Sequence, residues 1–169
     1  MTQQHGRRAG DIPVNAIGLD EFEIGLLATM RYFITSFAAP ETQGWVLAYR
    51  TAAERWGISD GAKAAYAMFD IVDAMRRART TMFHFSDPHC PTCRETVTPN
   101  ERHLMCMIHA IRRGRVGEAQ TEAMLLTEGA DNANMMRATW TLAGLFPANK
   151  NSAARTVISA SEGANLRIH

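Results

Sequence analysis

From Asp20 to Phe146 the chain repeats apolar side chains at spacings of three and four, and the pattern breaks once, between Thr80 and Val97. That period belongs to helices with one buried face, and no stretch alternates residue by residue as a half-buried strand does. Six helices and no sheet are therefore expected. The first, 20–38, carries Phe22, Leu26, Met30, Phe33 and Phe37 on one face and acids in its first turn, where the helix dipole favours them. A second opens near Pro40, carries Trp45, Leu47, Tyr49, Ala52, Ala53 and Trp56, and stops at Gly57. Ser59 caps a third that runs to about Arg79 and buries Tyr66, Phe69, Ile71, Val72 and Met75. The fourth has the clearest start: Thr98 caps, Pro99 takes the first helical position, and Glu101 completes a T-x-x-E capping box, with Gly114 as the stop. Two more, about 117–128 and 132–146, are separated by Gly129, with Asp131 as a capping candidate.

A length of 169 residues with 46% hydrophobic and 21% charged side chains suits one globular domain with a real core. The reading is an all-α compact bundle over 19–147, a flexible segment over 1–18, and a flexible tail over 148–169 that is rich in Ala, Ser and Asn. No apolar run reaches the roughly 18 to 20 residues of a membrane helix, and 1–18 lacks the apolar block of a secretory signal, so a soluble cytoplasmic protein with no membrane partner is expected.

The interruption carries the chemistry. All three cysteines and four of the six histidines fall between His84 and His109, in the order Cys90-x2-Cys93-x9-His103-x2-Cys106-x2-His109, with His84 and His89 just upstream. A Cys-x2-Cys turn can point two thiolates at one ion, and residues three apart on a helix share a face and can supply two more ligands. The expected metal set is Cys90, Cys93, His103 and Cys106 around a structural zinc, in a knuckle between the third and fourth helices at about 84–109. His109, His89 and His84 are alternative ligands. On a helical projection Leu104, Met107, Ile108 and Ile111 form the core stripe, while His103, Cys106 and Ala110 occupy an adjoining flank that can face the knuckle.

The Cys-x2-Cys followed by His-x2-Cys at a helix start resembles a treble-clef or LIM-like half-site over Cys90 to Cys106, which implies structural zinc. Cys90-Pro-Thr-Cys93 also resembles the CPxC of thioredoxin-like oxidoreductases, which implies a lowered thiol pKa and disulfide exchange. The helical AhpD-like peroxidases place a histidine four residues after their second cysteine, where this chain has Val97. Zinc deaminases need H-x-E, and no histidine here is followed two residues later by Glu; haem attachment needs His after the second cysteine, where Arg94 stands. A third reading makes Cys106 a core thiol and CPTC an ordinary loop.

The net charge of +1 hides a segregation: residues 76–115 carry eight basic and three acidic side chains, while 1–75 carry six and nine. Sixteen of the eighteen basic residues are Arg, which binds phosphate bidentately. Arg112, Arg113 and Arg115 are thus candidate phosphate contacts, although cations at helix ends also offset the dipole. Aromatic residues on the first two helices could form a dimer seam. Together these features predict a non-enzymatic zinc-binding regulatory or interaction protein with a protein partner or a second copy of itself, and nucleic acid as a further partner. The alternative is a thiol-redox protein or redox sensor that uses Cys90 and Cys93.

Overall fold

The computed structural model describes residues 2–4 and 9–148. Five helices dominate it: α1 (Glu21–Ala38), α2 (Gly44–Ala78), α3 (Pro99–Arg112), α4 (Val116–Leu126) and α5 (Ala133–Leu145). The expected second and third helices fall on the two halves of α2, on either side of a break. Its backbone leaves helical geometry at Gly57 (φ 77, ψ 168), so the stop lies where the sequence placed it. A Cβ on Gly61 would lie 2.6 Å from the Ala52 carbonyl oxygen and 2.7 Å from the Ala53 Cα. Residues nine apart on a straight helix would be roughly 13 Å apart, so the second half of α2 folds back onto the first. Close approach at this bend requires small side chains, and the buried stripe beyond it accordingly begins with Ala64 and Ala65. Tyr66, expected in the core, is 60% exposed.

α1 starts at a second capping box: the Glu23 N–H donates to the Asp20 carboxylate and the Asp20 N–H donates to Glu23, each at 2.9 Å. It packs along α2 through Leu26, Met30, Phe33 and Ile34, all essentially fully buried. The α3 core stripe is as expected, with Leu104, Met107, Ile108 and Ile111 buried. α3 packs on α4 and α5, and α5 closes against α2.

Four short strands correct the expectation of no sheet. β1 (Thr2–Gln4) pairs in parallel with β3 (His84–Ser86), and β2 (Ile12–Pro13) pairs antiparallel with β4 (Thr96–Val97). Strands of two or three residues are too short to show alternation in sequence. Their effect is to dock described parts of the expected flexible segment 1–18 on both sides of the cysteine loop. Beyond Ala148, the expected tail lies outside the described residues.

Candidate redox site

The cysteine loop is assembled from its own backbone. Asp87 opens it by accepting the His89 N–H at 2.8 Å through its carboxylate, the turn expected of an Asx residue ahead of Pro88. The Cys90 N–H then donates to the Asp87 carbonyl and the Arg94 N–H to the Cys90 carbonyl. A single 3-10 turn, Cys93–Glu95, leads into β4. Cys90 and Cys93 lie with their sulfurs at disulfide-bonding distance and their Cα atoms 5.2 Å apart.

The two sulfurs differ. Cys93 is buried, 5% exposed, whereas Cys90 is half-buried. The Cys90 Sγ accepts the Cys93 N–H at 3.2 Å and lies 3.3 Å from the Thr92 hydroxyl. Both contacts are made to Cys90, the more exposed of the two sulfurs.

One buried arginine holds this loop to the bundle. The Arg31 guanidinium, from α1, donates to the carbonyls of Arg94 (2.9 Å) and Thr96, and to both oxygens of Glu101 at 2.7 and 3.1 Å. Glu101 is fully buried and also accepts the Ser86 and Thr98 N–H groups at 3.1 and 2.9 Å. The capping box read from sequence is therefore present, and its glutamate has a further role as the counter-charge of Arg31.

The other predicted ligands lie elsewhere. His103 Nδ1 is 2.6 Å from Glu122 of α4, and Cys106 is influenced by Glu122 and Arg115. On the helical projection His103 lies roughly 160° from Glu101, the face to which Arg31 ties the loop. The flank of His103 and Cys106 therefore faces α4. Burial, reinforced by Glu122, pushes the Cys106 thiol up, so it stays protonated and weakly nucleophilic near neutral pH. His109 Nδ1 lies 2.9 Å from Glu23, and His89 packs edge-on against Tyr32 at 5.5 Å between ring centres. The His84 backbone joins the α3 start, donating to Asn100 and accepting from Thr98, while its buried Nδ1 has no hydrogen-bond partner among the described residues. Among the described residues, no three His, Cys, Asp or Glu side chains converge as a metal-holding group.

The candidate phosphate contacts are engaged in ion pairs within the chain. Arg112, buried, reaches Asp20 (2.7 Å), Glu23 and the Phe146 carbonyl; Arg113 reaches Glu23 (2.6 Å) and Asp20 (3.1 Å); Arg115 pairs with Glu118 at 2.8 Å. Burial pushes the Glu23 carboxyl up, but hydrogen bonds from His109, Arg113 and the Asp20 N–H outweigh it and hold the group at about 2. Sequence reading missed Glu23 and Arg31. The available signal was their spacing: with Leu27 between them they recur every four residues on an otherwise apolar face.

Beside the loop lies a cleft of about 670 Å³ whose floor is α1 (Ile24, Leu27, Ala28, Tyr32) and whose walls are α2 and the loop residues Pro88, Arg94 and Glu95. It shares Pro13 and Glu95 with a smaller depression of about 290 Å³ that Cys93 lines. Comparisons with models of known families, with curated proteins and with solved structures find no match to this chain. Among the described residues no helix is long and apolar enough to cross a membrane.

Proposed function

We propose that the protein is a thiol–disulfide redox protein in which Cys90 and Cys93 cycle between dithiol and disulfide. The observation that carries this reading is the asymmetry of the pair: a half-buried sulfur that meets the Cys93 N–H and the Thr92 hydroxyl, adjacent to a buried one. In the reduced protein the Cys90 thiolate attacks one sulfur of a substrate disulfide. The substrate S–S bond breaks, one substrate sulfur leaves as thiolate, and a mixed disulfide forms on Cys90. The Cys93 thiolate then attacks the Cys90 sulfur, the internal disulfide closes, and the second substrate sulfur leaves. Two electrons pass from the pair to the substrate, and the reverse sequence reduces the pair again.

The zinc reading would need His103 and Cys106 to turn from α4 to the loop, against the His103–Glu122 contact and the tie from Arg31. Trapping separates the cysteine roles. With a small aromatic disulfide, Cys93→Ser should accumulate a stable adduct on Cys90, read by intact mass. Cys90→Ser should form adduct far more slowly, because the Cys93 sulfur is buried. Equal labelling of the two variants would contradict the assigned order of attack, and no adduct on either would contradict the redox reading.

A further inference from the structure

The cleft beside the loop combines an apolar floor with guanidinium groups that make no ion pair among the described residues, and both belong to elements that the fold brings together there. Ile24 is 40% exposed on its floor, next to Leu27, Ala28 and Tyr32. Tyr32 in turn touches His89, the residue before Cys90. Arg31 is committed to Glu101 and the loop carbonyls, but Arg55 and Arg94 make no ion pair among the described residues. The stem of Arg55 lies close over α1. A Cβ on Gly25 would lie 3.1 Å from the Arg55 Cδ and 2.5 Å from the Trp56 ring, so the absence of a side chain at Gly25 lets the arginine stem lie across α1. Among the described residues Glu95 is the single acidic one of the lining, against three arginines.

We infer that this cleft binds a small organic thiol carrying a carboxylate or sulfonate, whose sulfur reaches the Cys90–Cys93 pair past Pro13 and Glu95, the residues the cleft shares with the depression lined by Thr92 and Cys93. The acidic group lies near Arg55 and Arg94, the carbon body covers Ile24 and Leu27, and the thiol points toward the loop wall. This inference rests on the redox reading and adds to it the charge of the exchanging partner. Charge selection is the natural discriminator here, because an apolar floor alone would accept any small thiol, whereas two guanidinium groups raise the local concentration of anions and repel cations. In the exchange, the bound thiolate attacks the Cys90 sulfur and Cys93 leaves as thiolate. A second thiolate then attacks the mixed disulfide, releasing Cys90 and a small-molecule disulfide, so that two thiols are oxidised as the pair is reduced.

The test uses the full chain in its disulfide form and three reducing probes of similar size: mercaptoethanesulfonate, 2-mercaptoethanol and cysteamine. Rates are compared per unit thiolate at low ionic strength. The expected order is anionic, neutral, cationic, with about a tenfold span between the first and last, the scale of one to two charge contacts near a surface. Arg55→Gln with Arg94→Gln should collapse the span to within about twofold, and added salt should do the same to the native chain. Arg137→Gln on α5 serves as a control and should leave the span intact. Both arginines in the double variant are exposed, so folding is not at stake. Equal rates for the three probes, or a span that survives the double variant, would overturn the inference while leaving the redox reading standing. Failure of all three probes to reduce the pair would overturn both.

Discussion

α1 and α3 are joined at each end by a buried arginine–carboxylate set, and the two sets have opposite polarity. At one end Arg31 of α1 meets Glu101 at the start of α3; at the other, Glu23 at the start of α1 meets Arg112 and Arg113 at the end of α3. In each case the carboxylate sits at a helix N-terminus, where the dipole favours it. The sets differ in what else they hold. Around Glu23 the further bonds go to other ions, to the Asp20 N–H of the capping box and to the His109 and Phe146 carbonyls, so that end closes the bundle. Around Glu101 the spare donors of Arg31 go to the carbonyls of Arg94 and Thr96, so the same device positions the cysteine loop. A buried ion pair is a weak source of net stability, but losing one partner is costly, which suits such pairs to fixing geometry.

The largest expected effect comes from breaking the loop-side pair. Arg31→Met leaves Glu101 buried without its counter-charge and should cost about 3–5 kcal/mol in denaturant unfolding. It should also raise the rate at which added thiols reduce Cys90–Cys93, because two loop carbonyls lose their anchor. Retention of native exchange kinetics in this variant would remove Arg31 from the positioning of the loop.

The opposite set should respond to acid instead. Glu23 is held at about 2 in the folded protein against an ordinary 4.5. Its contribution is therefore fully present above about pH 4.5 and is lost as the pH falls toward 2, on the order of 3 kcal/mol in total. Glu23→Gln should flatten the stability profile over that window and leave thiol exchange at neutral pH unchanged. A variant that kept the acid dependence would assign it to other carboxylates.

The smallest contrast uses the two capping boxes, one at each set. Thr98→Ala removes a cap and the hydroxyl that donates to the His84 carbonyl, and should cost about 1 kcal/mol. Asp20→Ala should cost more, because Asp20 also receives Arg112 and Arg113. Thermal melts rank the pair; an equal cost would mean that the Asp20 ion pairs contribute nothing beyond the cap.

The helices were legible because a buried face imposes its period on many residues at once, and the Thr98–Glu101 box because its three signals fall within four positions. Asp20–Glu23 carries a related signature, and only its role as an acidic first turn was read. Arg31 and Glu23 were missed because an apolar pattern treats a charge on the buried face as a gap, and their partners lie 70 and 89 residues away. That the four sequence-chosen ligands do not converge could not be read either. His103 and Cys106 do share a flank, as their spacing requires, but which neighbour that flank meets depends on where α4 packs and on the arginine that ties the loop to the other side.

Whether Cys90 and Cys93 cycle as a pair is answered by a redox titration. Protein equilibrated across a series of thiol–disulfide buffers is quenched with alkylating agent and mapped by mass spectrometry, with and without equimolar zinc. The expected result is a single two-electron transition confined to Cys90 and Cys93, with Cys106 unlinked at every potential and the transition unmoved by zinc. Stoichiometric zinc that protects Cys90, Cys93 and Cys106 together would contradict it, as would a pair that stays reduced throughout.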